Sequence, residues 1–152
     1  ARPDGSIGQA TPAATHLIKI ASEASCGLRP GVSIFGTDYP TRDGTCIRDY
    51  IHVEDLCEAH VLALRHLLRG GEPRTFNVGY GGGFTVREVL AAMQEVTGIR
   101  LKVQESGRRS GDPATLVADS NAIQRSLGWT HRFNDIKVIC ETAYRWERSR
   151  RK

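Results

Sequence analysis

The 152-residue sequence has no long apolar segment. None of its apolar runs approaches the about 18 residues that a membrane-spanning helix needs. The N-terminal stretch ARPDGSIGQ also lacks the apolar core of a signal peptide. These absences argue against a membrane protein, and the lack of an initiator Met favours a chain that starts inside a longer one.

Cysteine is scarce and irregularly spaced. The four cysteines, Cys26, Cys46, Cys57 and Cys140, include no C-x-x-C pair, and Cys57 and His60 have no second pair at short spacing. A zinc site needs such paired ligands. We therefore predict no metal site, reduced structural cysteines and a cytoplasmic location.

Positive charge is in excess only at the C-terminus. The net charge is +4, and the last eight residues, RWERSRRK, contain five cations and one Glu. The formal charges of residues 1–144 therefore sum to zero. A nucleic-acid groove needs cations spread over a face. We therefore predict one domain over residues 1–144 and a solvated, disordered basic tail over residues 145–152, and we expect no nucleic-acid partner.

Recognisable catalytic motifs are absent as well. No tyrosine is followed four places later by lysine, and neither G-x-S-x-G nor H-E-x-x-H occurs. A glycine cluster between a predicted strand and a predicted helix has the layout of a dinucleotide fingerprint: Gly79, Gly81, Gly82 and Gly83. However, Phe84 stands where that fingerprint has its third glycine, and the expected acidic residue does not follow the next strand. We interpret the cluster as a tight turn.

The sequence does contain an alternation of helices and short strands. Apolar periodicity predicts helices over residues 13–26, 54–68, 85–98, 119–128 and 134–148. The third of these begins with a capping box formed by Thr85 and Glu88. Apolar runs bounded by turn residues predict strands over residues 31–36, 47–53, 74–79 and 99–105. The pattern indicates an α/β domain with one core.

Four segments, in this order along the chain, resemble a known family. They are IFGTDYPTRDGTCIRDYIHVEDLCEAHVLAL (34–64), FNVGYGGGFTVREV (76–89), RRSGDPATLVAD (108–119) and LGW (127–129). Together they resemble the C-terminal half of the UDP-glucose 4-epimerase family, whose members are extended short-chain dehydrogenases. The resemblance implies a small mixed α/β substrate-binding domain, with the Rossmann half absent from the chain.

The resemblance also implies an isomerase reaction that two halves share. In the family, the Rossmann half binds NAD and supplies a Tyr-x-x-x-Lys pair, and the C-terminal half holds a UDP-hexose during epimerisation at C4, in galactose metabolism. This chain alone would then bind no NAD and be inactive. Its partners would be the UDP-hexose and the Rossmann half, with exposed apolar surface where that half packs. Family members are usually homodimers.

Site residues carry over from the family position by position. Arg48 and Arg109 match the arginines on the diphosphate, and a guanidinium fork suits several phosphate oxygens at once. Asp112 matches the carboxylate on the ribose hydroxyls, and Tyr50 matches a tyrosine near the ribose. The remaining matches are Ser33, Ile34 and Phe35 beside the uracil, largely through their backbone, His16 and Leu17 beside the UDP, and Leu116 where side-chain size affects N-acetylated sugars.

Each of these assignments has an alternative. Arg48 could form a surface ion pair with Asp49, Arg109 could lie in an exposed loop, and Phe35 could belong to the core. Lys19 also stands where the family usually has proline. Alternatives to the epimerase are the substrate half of another nucleotide-sugar dehydratase, decarboxylase or reductase, and a non-catalytic UDP-binding module. The stretch GTDYPTRDGTCIRDY favours the epimerase.

Overall fold

The computed structural model describes residues 1–150, which form five helices and five short strands. In chain order these are α1 (Leu17–Ser25), β1 (Val32–Phe35), β2 (Ile47–Arg48), α2 (Val53–Leu68), β3 (Phe84–Thr85), α3 (Val86–Thr97), β4 (Val103–Ser106), β5 (Thr115–Leu116), α4 (Asn121–Leu127) and α5 (Ile136–Ser149). None of the described helices combines the length and the apolar character that crossing a bilayer requires.

The strands form two small sheets, and each sheet contains a parallel pair. β1 pairs with β4, and Val32 lies opposite Val103. β2 lies between β3, to which it is antiparallel, and β5, to which it is parallel. This is the mixed α/β arrangement that the sequence predicts.

Two hydrophobic clusters form where the sequence predicts one core. The larger cluster joins α1, α3, α5 and β1, and it buries Ile34, Met93 and Cys140. The smaller cluster lies between α2 and α4, around Ile123 and Trp129. Because α2 packs mainly against α4, the apolar side chains on its other faces remain exposed.

Helix boundaries agree with the sequence where the local signals are strong. α3 begins with the predicted capping box: the Thr85 hydroxyl accepts a hydrogen bond from the Glu88 backbone N–H, and the Glu88 carboxylate accepts one from the Thr85 backbone N–H. α1 begins at Leu17 rather than at Ala13. Ala13 has a φ of +51°, which a right-handed helix cannot accommodate, so the helix starts only after His16.

The predicted strand over residues 74–79 is wrong. This segment pairs with no other strand in residues 1–150, although Phe76 and Val78 pack against the smaller cluster. A strand requires a neighbour that satisfies its backbone groups, and apolar alternation does not provide one. The strand predicted over residues 47–53 shortens to Ile47–Arg48, because the chain turns at Asp49 towards α2.

The predicted disordered tail is wrong for residues 145–149, which continue α5. The Glu147 carboxylate pairs with the ammonium of Lys19 on α1, and the two residues are only 2% and 5% exposed. The Trp146 Nε1–H donates to the Gln9 carbonyl at 2.9 Å. The prediction of a disordered tail misses this packing because it is based on net charge and treats Glu147 as solvated. Residues 151–152 of the predicted tail lie outside the described residues.

The cysteines form no disulfide within residues 1–150. Cys26, Cys46 and Cys140 are buried, and Cys57 is exposed on α2. Burial raises the pKa of the Cys140 thiol to about 12, so this thiol stays protonated at neutral pH. The described residues also contain no group of three or more His, Cys, Asp or Glu side chains that could hold a metal ion.

Candidate functional site

A cavity of about 450 Å³ lies between α1, β1, β2 and the loop that joins β4 to β5. One wall is the start of α1, and another is the face of β1 that carries Ser33 and Phe35. Eight of the residues that the sequence singles out line this cavity: His16, Leu17, Ser33, Phe35, Arg48, Tyr50, Arg109 and Asp112. Side chains that lie up to 96 positions apart in the sequence therefore meet in one place.

Arg48 connects β2 to the opposite loop. Its Nη2 donates to Asp112 Oδ1 at 2.9 Å, and its Nη1 donates to the Ile47 carbonyl at 2.7 Å. The alternative surface pair with Asp49 does not form, because the Asp49 carboxylate accepts from backbone N–H groups elsewhere. The guanidinium and the Asp112 carboxylate are both partly buried at the cavity wall. These two hydrogen bonds fix the orientation of the Arg48 guanidinium at the cavity wall.

Arg109 lies across the cavity over the ring of Phe35, with its guanidinium carbon 3.7 Å from the ring centroid. Within residues 1–150 no carboxylate lies within salt-bridge distance of Arg109. The neighbouring Arg108 is different: it stacks on Tyr39 at 4.2 Å and its Nε donates to Asp38 at 2.7 Å. Stacking holds the Arg109 side chain in place and leaves its N–H donors available for an anion.

Tyr50 and His16 complete the polar part of the cavity. Burial raises the pKa of the Tyr50 hydroxyl above its usual range, so the group is a neutral phenol at physiological pH. The His16 ring is hydrogen-bonded through Nδ1 to the Gln9 side chain at 3.1 Å. The site therefore offers two guanidinium groups, the Asp112 carboxylate, the Tyr50 hydroxyl and the His16 ring to a ligand.

Two of the predicted site residues do not line the cavity. Ile34 points into the larger hydrophobic cluster and is 1% exposed, so only its backbone could face a ligand. Leu116 lies beside Arg48 in the register of β2 and β5, but its side chain is 62% exposed to solvent. The structure therefore does not bring Leu116 into the site.

The cavity also contains residues that the sequence reasoning missed: Thr15, Ile18, Ile20, Val32, Cys46, Asp49 and Val86. Ile20 follows Leu17 by three positions on α1, and helical spacing alone would have placed both on one face. The lining thus combines apolar side chains of α1 with the stacked Arg109 and Phe35 pair. Apolar and charged groups both line the cavity.

The glycine cluster is a tight turn in which the backbone N–H of Gly81 already has an acceptor. Gly81 and Gly83 have φ values of +76° and +67°. The Asp49 carboxylate accepts from the backbone N–H groups of Tyr80 and Gly81, at 3.1 and 3.2 Å. A capping box closes the N-terminus of α3, which follows the turn. The Asp49 and Glu88 carboxylates therefore occupy N–H donors on either side of Gly82 and Gly83, which disfavours a dinucleotide diphosphate at these donors.

Residues 6–79 match the family described as the NAD dependent epimerase/dehydratase family. The chain is 54% identical over 149 residues to a UDP-glucose 4-epimerase of Azospirillum brasilense, covering 98% of this chain and 43% of that protein. The chain thus spans less than half the length of the curated relatives that it matches.

Solved structures resemble the fold closely. A crystal structure of UDP-glucose 4-epimerase superposes with a TM-score of 0.96 at 45% identity, covering 100% of this chain and 46% of that one. A UDP-glucose 4-epimerase from Bifidobacterium longum, solved in complex with NAD+ and UDP, has a TM-score of 0.89 at 29% identity and covers 98% and 44% of the two chains. Both resemblances extend over the whole cavity.

Proposed function

Given that this chain is a homologue of UDP-glucose 4-epimerases, we propose that it is the nucleotide-sugar-binding part of such an enzyme. In this role the cavity holds the UDP of a UDP-hexose while C4 of the sugar is epimerised. The observation that carries the proposal is the convergence of Arg48, Arg109 and Asp112, from two separate segments, on one cavity.

The charges of the cavity suit the ligand. A diphosphate carries two negative charges, and Arg48 and Arg109 supply two cations, one of which has no carboxylate partner among the described residues. Asp112 can accept from neighbouring ribose hydroxyls while it keeps its hydrogen bond to Arg48, since a carboxylate has about four acceptor sites. Ser33 and Phe35 on β1 provide backbone and ring surface for the base.

Catalysis in this proposal is divided between two parts of a larger enzyme. NAD would supply the hydride chemistry from a Rossmann half, and no step of that chemistry is assigned to the residues described here. This chain would contribute binding energy remote from the reacting carbon, which a catalyst can use to position the sugar. The chain alone would therefore be an inactive, cytoplasmic component of galactose metabolism, and the complete enzyme would be a homodimer.

Calorimetric titration tests the proposed function directly. We expect saturable binding of UDP to the chain, with UMP at least about tenfold weaker, because each hydrogen bond between charged groups contributes about 1.5–3 kcal/mol and 1.4 kcal/mol is a factor of ten. dTDP should also bind more weakly, since it lacks the 2′-hydroxyl that Asp112 would accept from. Equal affinities for UDP and UMP, or no saturable UDP binding at millimolar concentration, would refute the proposal.

We also propose that the exposed side of α2 packs against the Rossmann half. Leu64 and Leu68 are 56% and 77% exposed on this helix, and segment 74–79, which packs with α2 through the smaller cluster, has no strand partner among the described residues. In isolation such an apolar face should cause self-association.

The change Leu64→Lys/Leu68→Lys should therefore shift the chain towards monomer in sedimentation velocity. Leu28→Lys is the matched control, because Leu28 is 55% exposed and lies after α1, not on α2. A wild-type chain that stays monomeric at high concentration, or a control as effective as the α2 variant, would contradict the proposal.

A further inference from the structure

A second cavity, of about 340 Å³, lies between the C-terminal end of α2 and the end of α4. We call it the α2–α4 cavity. Arg65, His66, Arg69 and Ser126 supply its polar lining, and Leu62 and Leu127 supply its apolar lining. It shares no lining residue with the proposed UDP cavity.

The cations of this cavity have no acidic partners. Within residues 1–150, no carboxylate lies within 4.0 Å of the charged groups of Arg65, Arg69 or Arg74, although ion pairs are frequent elsewhere on the surface. Arg74, in the loop after α2, lies beside the cavity: its Nη1 donates to Oγ of the lining residue Ser126 at 3.4 Å. Several positive charges therefore meet beside a hydroxyl group without internal compensation.

His66 has a defined orientation in this cluster. Its Nε2 lies 3.0 Å from the Glu72 carbonyl, which can only accept, so Nε2 carries a proton. The ring lies against Gly71, where an added Cβ would come within 2.3 Å of it. Glycine at position 71 thus allows the loop to close over the histidine and gives the cavity its concave shape.

The helix dipole explains only part of this arrangement. Cations in the last turn of a helix interact favourably with the carbonyl end, which accounts for Arg65 on α2. It does not account for Arg74, which is outside any helix and approaches the same cavity. Nor does it explain why the charges surround a concave space that also has an apolar lining, a combination typical of small-ligand sites.

We propose that the α2–α4 cavity binds the phosphate groups of a small molecule, independently of the UDP cavity. Guanidinium forks and a serine hydroxyl are suitable donors for phosphate oxygens. The cavity is concave and limited in size, which suits one or two phosphate groups better than an extended nucleic-acid backbone.

Amide-resolved NMR titration of the UDP-saturated chain tests this proposal. Inorganic pyrophosphate should shift the amides of residues 65–71 and 126–127, in a saturable and salt-sensitive manner. Arg65→Ala/Arg69→Ala should raise the Kd at least about tenfold, because it removes two charge-assisted donors. Arg100→Ala/Lys102→Ala is the matched control: it removes the same charge from exposed positions without ion pairs in the described chain, and should change the Kd by less than about twofold.

A sugar monophosphate forms a second arm of the experiment. Local shifts with either ligand support the site, and the tighter ligand identifies whether a diphosphate or a monoester is preferred. Shifts spread over all basic residues, an equal effect of the control variant, or no saturation by either ligand would overturn the proposal. If the amides of residues 65–71 shift in a chain that binds no UDP, the proposed UDP role is refuted while the α2–α4 cavity is supported.

Discussion

Replacement of Arg109 by alanine is expected to weaken UDP binding at least about tenfold, because the guanidinium can donate more than one hydrogen bond worth about 1.5–3 kcal/mol each. Arg109 lies over Phe35 at the cavity and has no carboxylate partner in residues 1–150, so its donors are available to a diphosphate. The loss of this cation should lower affinity for UDP much more than affinity for uridine. Calorimetry on both ligands measures the difference.

Arg108 provides a close control for this experiment. It is adjacent in the same loop and carries the same charge, but it stacks on Tyr39 and pairs with Asp38 outside the cavity. Arg108→Ala should therefore change UDP affinity by less than about twofold, the usual range for surface substitutions. If both alanine variants weaken UDP binding equally, the loss comes from the overall positive charge of the loop, and the assigned role of Arg109 is wrong.

Arg48 extends the same test to the second cation of the cavity, which β2 supplies. Arg48→Ala should weaken UDP more than Arg109→Ala does, because it removes a cation and also leaves the Asp112 carboxylate without its partner near the diphosphate. Adding Asp112→Asn to Arg48→Ala should then recover part of the affinity for UDP. A double-mutant cycle measures this coupling, and strict additivity would show that the pair does not act as a unit at the ligand.

The second large effect concerns stability. Asp55→Ala is expected to lower the free energy of unfolding by about 3 kcal/mol or more, since each buried donor left without an acceptor costs about 1–3 kcal/mol. Asp55 is fully buried on α2. Its carboxylate accepts from the Tyr80 hydroxyl and from the backbone N–H groups of Arg132 and Phe133, at 3.0 and 2.9 Å. Urea denaturation of the variant and the wild type gives the difference.

Glu54→Ala is the matched control for Asp55, because it removes an acid from the same helical turn. The Glu54 side chain is only partly buried, and its contact with Arg2 is 3.6 Å long, so its loss should cost less than about 1 kcal/mol. The Asp55 side chain joins α2 to Arg132 and Phe133 in the segment after α4, and Asp55→Ala removes these bonds but keeps the backbone carbonyl that accepts from Trp129. Equal costs for the two variants would contradict the role given to Asp55.

Local signals explain how much of the fold the sequence predicts. The Thr85 and Glu88 capping box and the apolar spacing of α2 depend on neighbouring residues, and both appear in the structure. The failed predictions depend on distant residues. Segment 74–79 has the composition of a strand but lacks a partner strand in the described chain. In the sequence Glu147 belongs to a charged tail, whereas in the structure it pairs with Lys19, which lies 128 positions away.

The predictions for the candidate site also separate into those that sequence motifs support and those that depend on tertiary packing. Arg48, Arg109 and Asp112 follow from family motifs matched in register, and the structure places them on one cavity. No spacing rule predicts that Arg109 stacks on Phe35 while Arg108 turns to Tyr39, because that choice depends on tertiary packing. Asp49 is not predicted as a cavity residue for a similar reason. Its carboxylate accepts from backbone N–H groups that lie about thirty and seventy positions away in the sequence.

The buried contact between Lys19 and Glu147 has a consequence for how these sequences diverge. Loss of Lys19 would leave the buried Glu147 carboxylate with only the 3.8 Å contact to Arg150. Loss of Glu147 would leave the Lys19 ammonium with only Glu23 as an acidic partner. Either loss alone is therefore destabilising, whereas replacement of both can be nearly neutral. The two positions should therefore covary among relatives. Those with proline in place of Lys19 have no electrostatic reason to keep an acid at the last turn of α5.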